Sequence, residues 1–190
     1  MRLFVAINLP EAVRRTIHER TAGLRETDMP ARWVDPDRIH LTLKFLGEVL
    51  DERRDAAVEA LREAASGYAP FHLELEGVGA FPSLRRPRVV WLGVAATLPL
   101  RALKHDVEHA YARLGFERES RAFHPHLTLG RARDRAEAGE FRPLERLAGE
   151  VRVEDGFRVE SVELMRSRLG HGGAEYSVES RAAFEEEKGS

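Results

Sequence analysis

Apolar and polar residues follow the periods of regular secondary structure along most of the chain. Apolar runs, continuous or alternating with polar residues, predict strands at residues 3–7, 32–34, 39–46, 71–78, 89–94, 126–129, 157–165 and 176–184. Helical spacing of apolar residues predicts helices over residues 10–25, 51–66 and 100–114. The charged and weakly patterned stretch 134–150 is predicted to be a broken helix or a loop.

Glycines mark several of the predicted boundaries. Gly47 is expected to end a strand, and Gly67 and Gly115 to close helices. A turn between the last two strands is predicted at Gly170, Gly172 and Gly173. The order of elements, without a long linker, predicts a single α+β domain over residues 1–190, with helices packed on largely antiparallel sheets.

The amino-acid composition excludes several kinds of protein and of active site. Of the 190 residues, 43% are hydrophobic and 33% charged, which is typical of a folded domain rather than a disordered chain. The net charge of −2 does not suit the broad positive field of a nucleic-acid binder, so any contact with a nucleic acid is expected to be local: one end and a few phosphates. The chain has no cysteine, which excludes disulfides, thiolate nucleophiles and cysteine-based zinc sites. Its first ten residues are too short an apolar run for a signal or a membrane span, so we expect a cytoplasmic protein.

One tetrapeptide occurs twice on predicted strands. His40-Leu41-Thr42-Leu43 is repeated as residues 126–129, which indicates a duplicated half-domain. Side chains two residues apart on a strand project from the same face. His40 and Thr42 should therefore share one face, with the leucines directed into the core, and the same applies to the second copy.

Two histidines and two threonines facing one cleft suit the hydrolysis of a cyclic phosphodiester. One imidazole would take a proton from water and the other would protonate the departing ribose oxygen, since the histidine pKa of about 6.5 lies near working pH. Hydroxyls can donate to the non-bridging phosphate oxygens, and this chemistry requires no metal or cofactor. A single His-x-Thr on a strand usually has no function, but two identical copies favour the catalytic interpretation.

The two motifs and their surroundings resemble a known family. Similar segments are residues 2–7, 32–34, 39–49, 79–82, 90–94, 123–131 and 164–169, with Gly173 and Tyr176. They resemble the 2H phosphoesterases, and most of all the bacterial and archaeal RNA 2′,3′-cyclic phosphodiesterases, also called 2′-5′ RNA ligases.

The resemblance implies a bilobal α+β fold: two pseudo-symmetric lobes of antiparallel sheet, helices packed outside, and both motifs facing a central cleft. It implies hydrolysis of a 2′,3′-cyclic phosphate at RNA 3′ ends or on nucleotides to a 2′-phosphate, with reverse 2′-5′ ligation at the same site. A monomer without membrane contact is expected.

The resemblance also assigns roles to six residues. His40 would be the general acid at O3′ and His126 the base, although the symmetry of the sequence leaves these two roles interchangeable. Thr42 and Thr128 would hold the phosphate. Phe45 and Arg131 would sandwich the terminal base. From the residues alone, Phe45 could instead be a core residue and Arg131 a surface charge.

Several alternatives stay open. His105 and His109 are expected to be surface histidines, and His124 could support His126. The basic stretches 85–88 and 131–135 are either a path for RNA phosphates or solvated loops. The protein could also be a 2H enzyme acting on 2′,5′-linked oligonucleotides or nucleotide cyclic phosphates, or a non-catalytic module that binds RNA or nucleotides.

Overall fold

A computed structural model of the protein describes residues 1–170 and 173–185. The strands in these ranges are β1 (Arg2–Asn8), β2 (Ala31–Trp33), β3 (His40–Glu48), β4 (Phe71–Phe81), β5 (Val89–Val94), β6 (His126–Ala132), β7 (Gly156–Val159), β8 (Ser161–Gly170) and β9 (Gly173–Ala183). The helices are α1 (Glu11–Arg20), α2 (Ala22–Arg25), α3 (Arg54–Ala65), α4 (Leu98–Arg113) and α5 (Arg142–Glu150), with 3-10 turns at Pro36–Arg38, Asp51–Arg53 and Ala138–Phe141. The predicted α+β class is confirmed.

The strands pair in the order β7-β4-β5-β6-β3-β1-β8-β9, and β2 adds to β6. All of the pairings are antiparallel. Strands β6-β5-β4-β7 form one half-sheet and β3-β1-β8-β9 the other, and the two halves meet where Leu41 pairs with Leu127. This arrangement matches the two pseudo-symmetric lobes that the resemblance implies.

The prediction of one continuous strand over residues 157–165 is wrong. The chain leaves β7 at Glu160 and starts β8 at Ser161. Strand β7 pairs with β4, whereas β8 pairs with β1 in the other half-sheet. Apolar residues continue across the break because both strands are buried, so periodicity alone could not reveal the crossing.

Three smaller differences between the predicted and the observed elements have local causes. The helix predicted over residues 10–25 is divided at Thr21, whose hydroxyl donates to the carbonyl of Ile17 at 2.7 Å. Within the stretch 134–150, a 3-10 turn precedes α5, so the broken-helix alternative is the correct one. Strand β3 runs one residue beyond Gly47, where it was expected to end.

The turn chemistry at two helix ends follows the prediction. Gly67 and Gly115 lie just past α3 and α4. Their φ angles are +80° and +85°, which residues other than glycine rarely adopt. Of the predicted glycine turn, Gly170 ends β8 and Gly173 begins β9, while Gly172 lies outside the described residues.

One apolar core lies between the sheet and the helices. The motif leucines on β3 and β6 are buried in it, together with the apolar faces of α3, α4 and α5. A separate small cluster of Phe4, Ala6 and Met165 lies apart from this core. None of the helices in the described ranges combines the length and apolar character needed to cross a membrane.

Candidate active site

The two His-Leu-Thr segments lie side by side on β3 and β6. Their central leucines, Leu41 and Leu127, are opposite each other in an antiparallel pair, so a local twofold axis relates the two segments. Both leucines are buried on the helix side of the sheet. The neighbouring side chains therefore project from the opposite face, where His40, Thr42, His126 and Thr128 are all half-buried.

Each imidazole is anchored in the same way. Nδ1 of His40 lies 2.8 Å from the carbonyl oxygen of Arg38, and Nδ1 of His126 lies 2.7 Å from that of His124. Because a carbonyl oxygen only accepts hydrogen bonds, Nδ1 must carry the proton in both rings. This fixes the tautomer and leaves Nε2 of each ring available to a substrate.

The surroundings of both imidazoles favour the neutral form. Burial lowers the pKa of His40 below the ordinary value of 6.5, the hydrogen bond to Arg38 opposes this, and the charge of Arg131 lowers the pKa further. Burial likewise lowers the pKa of His126, against its hydrogen bond to His124, and the charges of His124 and Arg131 add to the decrease. Arg131 thus acts electrostatically on both rings.

An aromatic side chain stands edge-on to each histidine. The rings of His40 and Tyr176 are 5.1 Å apart at 84°, and those of His126 and Phe81 are 5.0 Å apart at 86°. Phe4 lies 5.0 Å from His40 and Trp91 lies 6.3 Å from His126. These contacts restrict the rotation of both imidazoles.

Sequence reasoning missed these four aromatic residues as part of the site. They come from four different strands, β1, β4, β5 and β9, whose association depends on the tertiary fold. Their segments were matched in the family resemblance, and that was the only signal in the sequence that could have found them.

A β-bulge places Phe45 beside the motif on β3. Phe45 follows His40 by five residues, an odd number, so strict alternation would direct it into the core. The pairing of β3 with β1 slips by one residue at Leu43, which returns Phe45 to the face of His40. Phe45 is 70% exposed and its ring lies 6.1 Å from the ring of Phe4, so the core interpretation of Phe45 is wrong.

An equivalent bulge places Arg131 on β6. The pairing of β6 with β5 slips at Leu129, and Arg131 again follows its histidine by five residues. Its side chain is exposed, and within residues 1–170 and 173–185 it has no hydrogen bond or ion pair. The next residue inward, Gly130, packs against Trp33, and a Cβ at this glycine would lie 2.6 Å from that ring.

A buried group of charges lies behind the bulge on β3. Nζ of Lys44 donates to Oε2 of Glu108 and to the carbonyl of Glu117, both at 2.6 Å. Lys104 donates to the carbonyl of Leu43 at 2.7 Å and to the other carboxylate oxygen of Glu108. Sequence reasoning missed this network, which ties the bulge to α4.

The ionised form of Glu108 is favoured in this network. Burial alone would raise the pKa of the carboxyl, but the hydrogen bonds and positive charges of Lys104 and Lys44 outweigh it and lower the pKa. The group is thus a compensated ion cluster in the core.

Three further histidines fall into two groups. His124 lies 4.9 Å from Trp91 and 5.4 Å from Phe81, so it belongs to the surroundings of His126. His105 and His109 lie 4.0 Å apart on α4, away from both motifs. In the part of the chain that the structure describes, no three or more His, Asp or Glu side chains converge as a metal site.

The sequence pattern of the 2′-5′ RNA ligase superfamily matches residues 9–171. A protein named RNA 2′,3′-cyclic phosphodiesterase from Methanothermobacter thermautotrophicus is 34% identical over 179 residues, covering 93% of this chain and 95% of that protein. One of the same name from Aeropyrum pernix is 37% identical over 164 residues, covering 84% of this chain and 92% of the relative.

Solved structures show the same fold. TT0787 of Thermus thermophilus matches with a TM-score of 0.81 and 30% identity, over 98% of this chain and all of the other (100%). E. coli LigT complexed with 3′-AMP matches with a TM-score of 0.73 and 32% identity, over 96% and 97% of the two chains. These matches confirm the resemblance and the predicted fold, and the matched region includes both histidine motifs. The chain belongs to the 2′-5′ RNA ligase superfamily.

Proposed function

We propose that this protein hydrolyses 2′,3′-cyclic phosphates at RNA 3′ ends to 2′-phosphates, using His40 and His126 as a metal-free acid–base pair. The observation that carries the proposal is the symmetric anchoring of the two imidazoles on adjacent antiparallel strands. Each ring donates from Nδ1 to a carbonyl and leaves Nε2 free on the same face of the sheet. The names of the relatives agree with this substrate.

The reaction is an in-line displacement at phosphorus. Nε2 of neutral His126 takes a proton from water as the new P–O bond forms. The P–O3′ bond breaks on the opposite side, and protonated His40 delivers a proton to O3′. The products are a 2′-phosphomonoester and a free 3′-hydroxyl, and acid–base help of this kind contributes roughly 10²–10⁴-fold in rate.

The roles of the two histidines follow the family resemblance, and one asymmetry supports them. His124 opposes protonation of His126 but is not among the groups that act on His40. A neutral base at His126 is thereby favoured. The negative charge of the bound phosphate counteracts Arg131 and raises the pKa of His40 toward the protonated form that an acid needs.

In the proposed reaction, Thr42 and Thr128 hold the phosphate. Both hydroxyls are half-buried on the cleft face, and among the described residues neither has a hydrogen-bond partner in the protein. They are therefore free to donate to the non-bridging oxygens, where negative charge concentrates as water attacks.

Phe45 and Arg131 are suited to sandwich the terminal nucleobase. The bulges place both on the cleft face, one as an exposed ring and the other as a guanidinium without a partner in the described part of the chain. Every base has a π face that can stack on a ring or a guanidinium, so the sandwich predicts weak base preference.

The same site can also join RNA ends. An RNA 5′-hydroxyl then takes the place of water and attacks the 2′,3′-cyclic phosphate, with His126 as base and His40 as acid. Because the P–O3′ bond again breaks, the product is a 2′-5′ linkage. Water is far more concentrated than any RNA end, so hydrolysis should dominate.

Product identification tests the proposed reaction. The purified protein is incubated with a short RNA ending in a 2′,3′-cyclic phosphate, a nucleoside 2′,3′-cyclic phosphate and a 2′,5′-linked oligonucleotide, and the products are assigned by ³¹P NMR. We expect a 2′-phosphate from the RNA. Cleavage of the 2′,5′ linkage alone would assign the protein to a different 2H activity, and no turnover would favour a binding module.

A further inference from the structure

A cavity lies between the loop after β4 and the start of α5. It encloses about 370 Å³ and is lined by Arg85 and Arg86 from the loop after β4 and by five residues around the start of α5: Ala138, Gly139, Phe141, Arg142 and Glu145. None of the six residues to which the resemblance assigns a role lines it. The cavity is therefore a separate feature of the surface.

The lining is strongly positive. Three arginines face one carboxylate, and that carboxylate, Glu145, pairs with Arg85 at 3.1 Å. The side chains of Arg86 and Arg142 are exposed, and within the described ranges neither side chain has a hydrogen bond or ion pair. Two guanidinium groups thus remain available to a ligand with dispersed negative charge, and guanidinium forks match phosphate oxygens.

The wall between the arginines is open and apolar. Phe141 is almost fully buried beneath the cavity, and no atom lies within 4 Å of the position that a Cβ would take at Gly139. The carboxylate of Glu140, on the same turn, has a hydrogen-bond partner of its own: Oε2 accepts from the backbone N–H of Glu137 at 2.7 Å. A ligand can therefore approach both free arginines.

Backbone contacts connect this cavity to the histidine cleft. The loop begins directly after Phe81, whose ring packs 5.0 Å from that of His126. The carbonyl of Arg88 accepts from the N–H of Ala132 at 3.0 Å, next to Arg131. Arg86, one of the two free arginines, follows Phe81 by five residues, and five extended residues span at most about 18 Å. A strand of RNA ending in the cleft can cover this distance within a few nucleotides.

We propose that the cavity binds phosphodiester groups of the RNA strand a few nucleotides 5′ of the cyclic end, through Arg86 and Arg142. The inference rests on the proposed function, because the strand is placed by its terminal phosphate in the cleft. It explains how a chain of net charge −2 can hold RNA, by a local pair of cations rather than a broad field. A nucleoside cyclic phosphate is too short to reach the cavity.

The test compares two substrates in three proteins. The wild type, Arg86→Ala/Arg142→Ala and Arg15→Ala/Arg62→Ala are assayed with a ten-nucleotide RNA ending in a 2′,3′-cyclic phosphate and with a nucleoside 2′,3′-cyclic phosphate. The control pair removes the same charge from α1 and α3, where Arg15 and Arg62 each pair with a glutamate at 2.8 Å and 3.3 Å.

We expect the cavity variant to lose about tenfold or more in kcat/KM on the RNA and much less on the nucleoside, while the control resembles wild type. The slope of log kcat/KM against log salt should become shallower by roughly 1.4, since a single strand contributes about 0.7 per phosphate contact. Equal losses on both substrates, or no loss on the RNA, would overturn the inference.

A binding measurement separates this inference from the proposed function. If the wild type turns over neither substrate, the proposed function fails, but fluorescence anisotropy of a labelled ten-nucleotide RNA with a 3′-phosphate still examines the cavity. Weaker binding by the cavity variant than by the control supports the subsite. Equal binding by all three proteins contradicts it.

Discussion

At the scale of single residues, the proposed site depends on two half-buried imidazoles that are fixed in one tautomer and whose pKa values are lowered. Arg131 is the one charged side chain that lowers the pKa of both His40 and His126 within the described part of the chain. A positive neighbour opposes protonation, so its removal must raise both pKa values. This makes Arg131 a means of testing the electrostatics without changing either histidine.

The Arg131→Ala variant should show this in an NMR pH titration of the unliganded protein. We expect the midpoints of both His40 and His126 to move to higher pH, toward the ordinary value of 6.5. Arg133→Ala is the matched control, since Arg133 is exposed on the same stretch but does not act on either ring. Unchanged midpoints in Arg131→Ala would contradict the electrostatic account.

The acid and base can be told apart with a sulfur leaving group. A substrate with sulfur in place of O3′ needs no acid, because a thiol has a pKa of about 8.5 and leaves as the thiolate. His40→Ala should therefore recover most of its lost rate on the sulfur substrate, whereas His126→Ala should stay impaired, as measured by single-turnover cleavage. Recovery of His126→Ala instead would reverse the two roles.

Stacking on Phe45 should contribute mainly to substrate binding. Loss of a base–aromatic stack costs about 1–3 kcal/mol, so Phe45→Ala should raise KM roughly 5- to 150-fold with a smaller effect on kcat. The increase should be similar for all four terminal bases. Leu50→Ala removes another exposed apolar side chain (63% exposed) just beyond β3 and serves as the control. An unchanged KM would remove Phe45 from the site.

At the scale of the elements, the sequence predicted one part of the site and not another. The strict alternation of the HLTL motifs is preserved in β3 and β6, so the shared face of His40 and Thr42 could be predicted from residue spacing alone. The positions of Phe45 and Arg131 could not, because a bulge depends on the pairing with the neighbouring strand, which the sequence does not display. Only the family resemblance pointed to these two residues.

The buried ion cluster on α4 supports the bulge of β3. Glu108→Gln would leave Lys44 and Lys104 in the core without their carboxylate, and breaking a buried pair typically costs about 3–5 kcal/mol. We expect a destabilisation of this order in chemical denaturation. Because the pKa of Glu108 is lowered in the folded protein, its contribution is present at neutral pH and is lost as pH falls through that lowered value.

The exposed ion pair of Arg113 and Glu63 provides a control for the Glu108→Gln variant. Glu63→Gln removes the partner of Arg113, and both of these side chains are more than half exposed. Surface pairs contribute about 0–1 kcal/mol, so this variant should unfold almost like the wild type. Equal effects of Glu63→Gln and Glu108→Gln would show that the buried cluster has no special role.

At the scale of the whole molecule, the two half-sheets do not correspond to the two halves of the sequence. Strand β1 pairs with β8, so the half-sheet that carries His40 is completed by the C-terminal part of the chain. The repeated tetrapeptide marks the place where the two half-sheets meet, but the crossing from β7 to β8 was hidden because both strands are equally apolar. The two half-sheets are joined where β3 pairs with β6. This pairing sets the distance between the two histidines.

The symmetric pair of histidines is the central claim, and single-turnover hydrolysis in the presence of EDTA tests it most directly. The substrate is an RNA with a 2′,3′-cyclic end, and the proteins are the wild type, His40→Ala, His126→Ala and the surface control His105→Ala. The account predicts full activity of the wild type and the control, and losses of roughly 10²–10⁴-fold in each motif variant. Wild-type rates in either motif variant, or loss of wild-type activity on addition of EDTA, would contradict it.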